Sequence, residues 1–219
     1  MTSRRILGYV SSLSSQSLTR YGTASGGTGS ITPFTTAGIT YNGVYFNSDG
    51  TLTVTTAGLF DVLMIGGGGA ASYANGTNRS SGGGGGGGYL NTTVYLAVGS
   101  YSVDVGAGGS AQNSGFTTSL GTSLGSLSVG GGGAGGGNTT YTGTSGGSGG
   151  GAAYTGSTYS AGSANISAGS GWISYGNAGS GSGFPYSGAG GGAGSVGGPA
   201  SGSTGAQGGT GLNISYYTT

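Results

Sequence analysis

Gly58-Leu59-Phe60-Asp61-Val62-Leu63-Met64-Ile65-Gly66-Gly67-Gly68-Gly69 joins an apolar run to unbroken glycine, and the reading of that junction decides the fold. Residues 59–65 are short, apolar and bounded by glycine, which predicts a strand covered on both faces. The glycines that follow offer almost no apolar area. Ordering each residue costs about 1 to 2 kcal/mol, so an isolated tract stays disordered. Such a tract orders only if backbone groups satisfy one another. The extended helix with three residues per turn makes this possible: it forms no internal hydrogen bonds and offers every N–H and C=O to neighbours. Without Cβ atoms, such helices approach closely enough to bond across, with weak Cα–H···O contacts in support.

Outward from this junction the same alternation recurs. Val44-Tyr45-Phe46 and Thr51 to Thr55 flank the turn Asn47-Ser48-Asp49-Gly50 and predict a hairpin. Further strands are predicted at 89–98, 101–105, 124–129 and 212–217. Between and beyond them lie glycine blocks at about 66–69, 82–88, 130–137, 143–151, 161–171, 179–183, 188–198 and 202–211. Glycine is not strictly every third residue and proline is scarce, so collagen is excluded. The expected architecture is all-β plus polyglycine II: a small antiparallel β-layer bearing about eight glycine-rich extended helices, with essentially no α-helix. Residues 1–30 read as an N-terminal attachment arm, 31–65 as a β-rich region, and 66–219 as the glycine-rich domain. If each block crosses the bundle once, 70–81, 138–142, 172–178 and 199–201 are distal turns. Segments 152–160 and 184–187, with Tyr154, Tyr159, Phe184 and Tyr186, then pack towards the β-layer.

Of 219 residues, 61 are glycine, against a usual share of about 7%. Formal charge is confined to Arg4, Arg5, Arg20, Arg79, Asp49, Asp61 and Asp104, for a net +1. Four scattered arginines leave too little basic surface to neutralise phosphates, which argues against nucleic acid as a partner. There is no Cys, His, Lys or Glu. Disulfide frameworks and the usual zinc sites are therefore excluded, and no metal or other cofactor is expected. The apolar run 6–10 is too short for a signal peptide, and 59–65 falls far short of the roughly 20 residues of a membrane span.

Motif matches fail on chemistry. Gly66 to Ala71 after a strand fits G-x-G-x-x-A, but residues 72–88 provide neither a helix nor an acidic ribose ligand. Gly146-Gly147-Ser148-Gly149-Gly150 fits the nucleophile elbow, yet no histidine exists to serve as base. Asp49 reads as a turn former, and Asp61 and Asp104 as outward strand positions. N-x-S/T sequons at Asn75, Asn78, Asn91, Asn138, Asn165 and Asn213 arise freely in so Ser/Thr-rich a chain. A non-enzymatic role is expected.

The informative excess is aromatic: 15 Tyr, 5 Phe and one Trp. Tyr45, Phe46, Phe60, Tyr89 and Tyr101 lie on predicted strands and read as core. In the predicted distal turns, Tyr73, Asn75, Asn78, Arg79, Tyr141, Trp172 and Tyr175 combine flat rings with amide and guanidinium groups. That is the chemistry of a sugar-binding platform, or of a cap closing the bundle.

The order of these segments resembles the glycine-rich domain of bacteriophage tail-fibre and minor tail proteins. The likeness runs from Leu52 to Val54 and the 58–69 junction through 82–89, 98–109, 115–118 and 128–133 to Gly208-Gly209-Thr210-Gly211-Leu212-Asn213-Ile214-Ser215-Tyr216-Tyr217. It covers about residues 50–217. Polyglycine-sandwich adhesins of T-even-like phages have a similar design. The resemblance implies a virion protein of the tail that binds a host cell-surface glycan. It also implies a homotrimer, although no coiled-coil heptads occur. Residues 1–49 fall outside it, and contact with other virion proteins is expected through the N-terminal arm, with Arg4, Arg5, Ile6, Leu7 and Tyr9 as candidates. A capsid decoration or tail-assembly protein is the structural alternative. An ice-binding role would need a flat Thr or Ala face, which the irregular aromatic loops do not offer.

Overall fold

The computed structural model describes residues 21–36, 39–75, 80–123, 125–166, 173–183, 185–200 and 205–213. Among them there is no helix. The strands are β1 (Thr23–Gly26), β2 (Gly29–Thr36), β3 (Ile39–Tyr45), β4 (Gly50–Thr56), β5 (Gly58–Ile65), β6 (Tyr89–Leu96), β7 (Gly99–Asp104), β8 (Thr118–Thr122), β9 (Gly125–Val129) and β10 (Ile173–Tyr175). They form antiparallel sheets of order β1-β4-β7-β8-β9, β10-β6-β5 and β2-β3.

Period-two alternation builds the core. Leu52 and Val54 of β4, Tyr101 and Val103 of β7, Leu120 of β8, and Leu127 and Val129 of β9 point inward from the larger sheet. Met64, Leu90 and Leu96 meet them from the β5–β6 pair, with Phe60, Val62 and Val94 packed alongside. Leu90 and Leu96 are fully buried. The expectation that 59–65 is covered on both faces is corrected: on the outer face Asp61 and Ile65 are exposed, and Leu59 and Leu63 only half-buried. The predicted 44–55 hairpin does not form either. β3 pairs with β2, whereas β4 pairs with β1 and β7. The turn between β3 and β4 is held elsewhere, with the Asn47 amide donating to Thr28 Oγ1 (3.1 Å) and the Val105 amide to Asp49 Oδ1 (2.7 Å).

Residues 1–20 lie outside the described residues. The rest of the predicted arm is sheet, since β1 occupies 23–26 and β2 begins at Gly29. Tyr21 bridges Leu59 in parallel, and the Gly22 amide donates to the Leu59 carbonyl (3.0 Å).

At the bundle end of the sandwich, β5, β7, β9 and β10 run into glycine-rich chain, and β6 and β8 begin from it. The β5–β6 pairing is thus a hairpin whose loop is residues 66–88. The Gly66 amide bonds the Gly88 carbonyl (2.9 Å), one step beyond the Ile65–Tyr89 pair.

These tracts are neither helix nor β-ladder, yet they are bonded at a regular step. Gly82, Gly85 and Gly88 donate to the carbonyls of Gly136, Gly133 and Gly130 at 2.9, 2.8 and 2.9 Å. Gly83 and Gly86 donate to Gly188 and Gly191 at 3.2 and 2.9 Å. Gly66, Gly69 and Ser72 donate into the same tract, at Gly88, Gly85 and Gly82. Ser148, Gly151 and Tyr154 reach Gly86, Gly83 and Ser80. Each neighbour is met every third residue, and successive amides serve different neighbours. Residues 131–137 and 147–154 are buried throughout.

The direction of partner numbering gives the path. Thr144 and Gly147 bond Ala134 and Gly131, a descending series and therefore antiparallel; Gly133 and Gly136 bond Ser148 and Gly151, an ascending and parallel one. Block 143–151 therefore reverses within itself near residue 147, which corrects the single-crossing expectation. Block 188–198 also turns, at 193–195, where the Gly192 amide meets the Ser195 carbonyl (3.0 Å). A pair of tracts flanking residues 110–113 was not anticipated: Phe116 donates to Ala107 (2.9 Å), and both arms bond the 67–71 segment.

Close approach makes glycine obligatory on some rows. A Cβ on Gly84 would fall on the Gly69 carbonyl oxygen and one on Gly87 on that of Gly66, whereas one on Gly86 would find its nearest heavy atom at 3.6 Å. Gly87→Ala is expected to cost about 1 to 3 kcal/mol through overpacking. Gly86→Ala should shift stability by less than about 1 kcal/mol, because the site accepts a methyl and the unfolded chain loses entropy. Thermal unfolding followed by near-ultraviolet circular dichroism measures the difference, and equal melting temperatures would contradict the close packing. In the sandwich, Leu90→Ala should cost about 2 to 5 kcal/mol in the same assay.

Candidate functional site

Tract 66–72 leaves the sandwich and 82–88 returns to it, so residues 73–75 and 80–81 lie at the far end of the bundle. The turns at 138–140 and 155–159, with residues 183, 185 and 186, reach the same end, and hydrogen bonds knit them. The Asn75 amide donates to Asn138 Oδ1 (2.9 Å). Ser80 and Tyr154 exchange backbone bonds (3.0 and 2.9 Å). The Tyr159 amide donates to Ser182 Oγ (2.8 Å) and the Ser182 amide to the Tyr159 carbonyl (3.1 Å). Gly183 and Tyr186 form a bridge of their own.

The rings at this end differ in access. Tyr73 is 49% exposed. Tyr141 and Tyr159 are half-buried against each other, centroids 4.8 Å apart and planes 38° apart, and Thr155 Oγ1 donates to the Tyr159 hydroxyl (3.3 Å). Tyr154 is buried beneath. The surface therefore offers ring faces beside amide and hydroxyl groups, held by a backbone with few side-chain torsions to order. Such groups can stack on an apolar face of a ligand while bonding its hydroxyls. Without a charged group among these described residues, recognition here would rest on stacking and neutral hydrogen bonds.

Of the sequence candidates, the structure brings Tyr73, Asn75 and Tyr141 to this end. Asn78, Arg79 and Trp172 lie outside the described residues, as do Arg4, Arg5, Ile6, Leu7 and Tyr9. Tyr175 is elsewhere: it stands on β10, paired with Tyr89 of β6, the two rings 5.6 Å apart. The distal turn expected at 172–178 is at the sheet side, because the reversal near residue 147 inverts every later crossing until 193–195 inverts it back. For the same reason Tyr154, Tyr159 and Tyr186, expected against the β-layer, are at the far end. Asn138 was visible only as a sequon. Its capping of residue 75, 63 positions away, had no local signal.

The three aspartates occupy structural positions. Asp61 accepts from Thr93 Oγ1 (2.6 Å) and Asp104 from Ser119 Oγ (2.8 Å), both on exposed strand positions, and Asp49 holds its turn. No group of three or more metal-ligating side chains occurs among the described residues. No helix long and apolar enough to cross a membrane occurs among the described residues.

A family model for a glycine-rich domain matches residues 46–218. The chain belongs to that family. The glycine-rich domain thus takes in β4 to β10 together with the bundle, so sandwich and tracts fall within one family unit. No curated protein and no solved structure matches it.

Asn138→Ala removes the acceptor of the Asn75 amide. One such bond contributes about 1 kcal/mol, so exchange of the Asn75 amide with solvent should quicken roughly fivefold while the sandwich amides stay protected. Amide hydrogen exchange by nuclear magnetic resonance reads both.

Proposed function

We propose that this glycine-rich domain is a non-enzymatic bacteriophage virion protein, a minor tail protein or tail-tip adhesin, that binds a host cell-surface glycan through the far end of a polyglycine II bundle. The observation that carries the reading is the convergence of Tyr73, Asn75, Asn138, Tyr141 and Tyr159 at the end of tracts bonded every third residue. A three-residue step is the repeat of the extended polyglycine helix, and its lateral bonding to several neighbours supports that assignment. The likeness of the strand-and-glycine order to phage tail proteins supplies the virion setting.

The polarity of the chain suits this role. β5 runs from Leu59 towards the bundle, and the Tyr21–Leu59 bridge is parallel, so the chain enters the sandwich at the end opposite the bundle. Attachment to other virion proteins through residues 1–20 and contact with a receptor at the tip would then use opposite poles. A rigid spacer between them presents the tip ready-ordered, which lowers the entropy lost on binding.

A structural alternative, a capsid decoration or tail-assembly protein, is favoured by one feature: Tyr141 and Tyr159 cover each other and so also close the bundle end. The two readings separate in one experiment. Adsorption of the isolated chain to host cells and to glycan arrays is expected, and Tyr73→Ala should weaken it at least tenfold without shifting the melting temperature. Tyr175→Ala, on the sheet side, should leave it intact. Unchanged adsorption by Tyr73→Ala and by the double variant Tyr73→Ala/Tyr141→Ala would remove the receptor role and leave the cap.

A further inference from the structure

The bundle has an unfinished side. Among the described residues, tract 205–211 is bonded by the 188–200 segment alone: Gly198 donates to the Gln207 carbonyl (2.7 Å), Gly209 to that of Gly190 (2.9 Å), and the Thr210 amide to Ser195 Oγ (2.9 Å). Among the described residues, its other row, Gly205, Gly208 and Gly211, would meet nothing within 4 Å even with a Cβ added. Beside this row a groove of about 680 Å³ runs from Ile65 at the sheet to Ser81 and Ser187 near the tip, walled by the 83–87, 187–193 and 205–211 tracts. Gly84 and Gly87, three apart on its wall, have backbone groups that make no hydrogen bond among the described residues. Exposed Ile65 lines its sheet-side end, and exposed Leu212 follows the outer tract.

Within the bundle, a position flanked by several tracts is filled by another tract. The 82–88 tract, in the middle, is bonded to four others. The groove continues that lattice by one position and leaves it open. Whatever fits there must return an N–H and a C=O every third residue and bring little side-chain bulk to the contact rows. A tract of this chain meets both conditions, and 205–211 is the one already accessible. Parallel and antiparallel neighbours both occur in the bundle, so a symmetry-related copy needs no special orientation.

We propose that the groove is a self-association site, in which the 205–211 tract of a second copy of this chain seats and continues the backbone lattice between molecules. A two-fold pairing makes the exchange mutual, each edge tract lying in the other copy's groove, and it covers Ile65 and Leu212. This surface is lateral and does not use the tip residues, so it stands or falls separately from the receptor reading.

Sedimentation velocity on the whole chain, from low to high micromolar concentration, tests this. Wild type is expected to double in mass with rising concentration. Gly208→Leu, placed where the single chain has open space, should stay at monomer mass with an unchanged circular dichroism spectrum. Gly208→Cys adds the only thiol and should cross-link copies under mild oxidation, while Ser157→Cys in a tip turn should not. A wild type that stays monomeric throughout overturns the proposal, since the groove is then open or filled from within one chain. Association that survives both Gly208→Leu and Gly205→Leu also overturns it, because the copies then meet elsewhere.

Discussion

The constraint on which this structure rests is the lateral hydrogen bond between glycine tracts, repeated at every third residue. One such bond contributes about 0.5 to 1.5 kcal/mol net, while fixing the backbone of one residue costs about 1 to 2 kcal/mol. Two tracts alone therefore do not hold. A central tract such as 82–88 bonds four neighbours and uses amides and carbonyls alike, so its ordering cost is shared across the assembly. Removal of Cβ atoms is what permits this, since many rows place a neighbour's carbonyl where a methyl would stand. Most of the buried backbone in these tracts is thereby paired.

The sandwich gives the lattice its starting conditions. Leu90, Leu96, Val54 and Val129 close a conventional apolar core, and the ladder they support sets which tracts begin side by side and in which direction. The bond from Gly66 to Gly88 carries the β5–β6 register across the junction. Beyond the sheet, the tracts propagate that arrangement to turns whose side chains are held 63 positions apart in sequence, as at Asn75 and Asn138. A surface built this way varies through its turns while the scaffold stays constant.

Much of the β-layer was legible. The runs at 51–55, 59–65, 89–98 and 101–105 became β4 to β7 because β-branched and apolar residues with period-two spacing speak for themselves locally. β1, β2, β8 and β10 were missed; β1 (Thr23–Gly26), Thr118–Thr122 and Ile173–Tyr175 are short and are recruited by the edges they complete. The hairpin expected around Asn47-Ser48-Asp49-Gly50 had sound turn chemistry, but Thr28 and Val105 hold that turn and direct β3 and β4 to different partners. At the tip, Tyr73, Asn75 and Tyr141 were found and Tyr159 was not. The cause was the concealed reversal near residue 147.

By itself the sequence determined the material: a small apolar core, no charge or thiol chemistry to speak of, aromatics divided between strands and a few turns, and glycine tracts able to order only through their backbones. The tertiary structure alone decided where those tracts turn and which turns share an end. The physical reason is that a turn is announced by residues that differ from their surroundings, and inside a glycine run nothing differs. There the path is chosen by which carbonyls lie within reach of which amides, a property of the packed neighbours and not of the run.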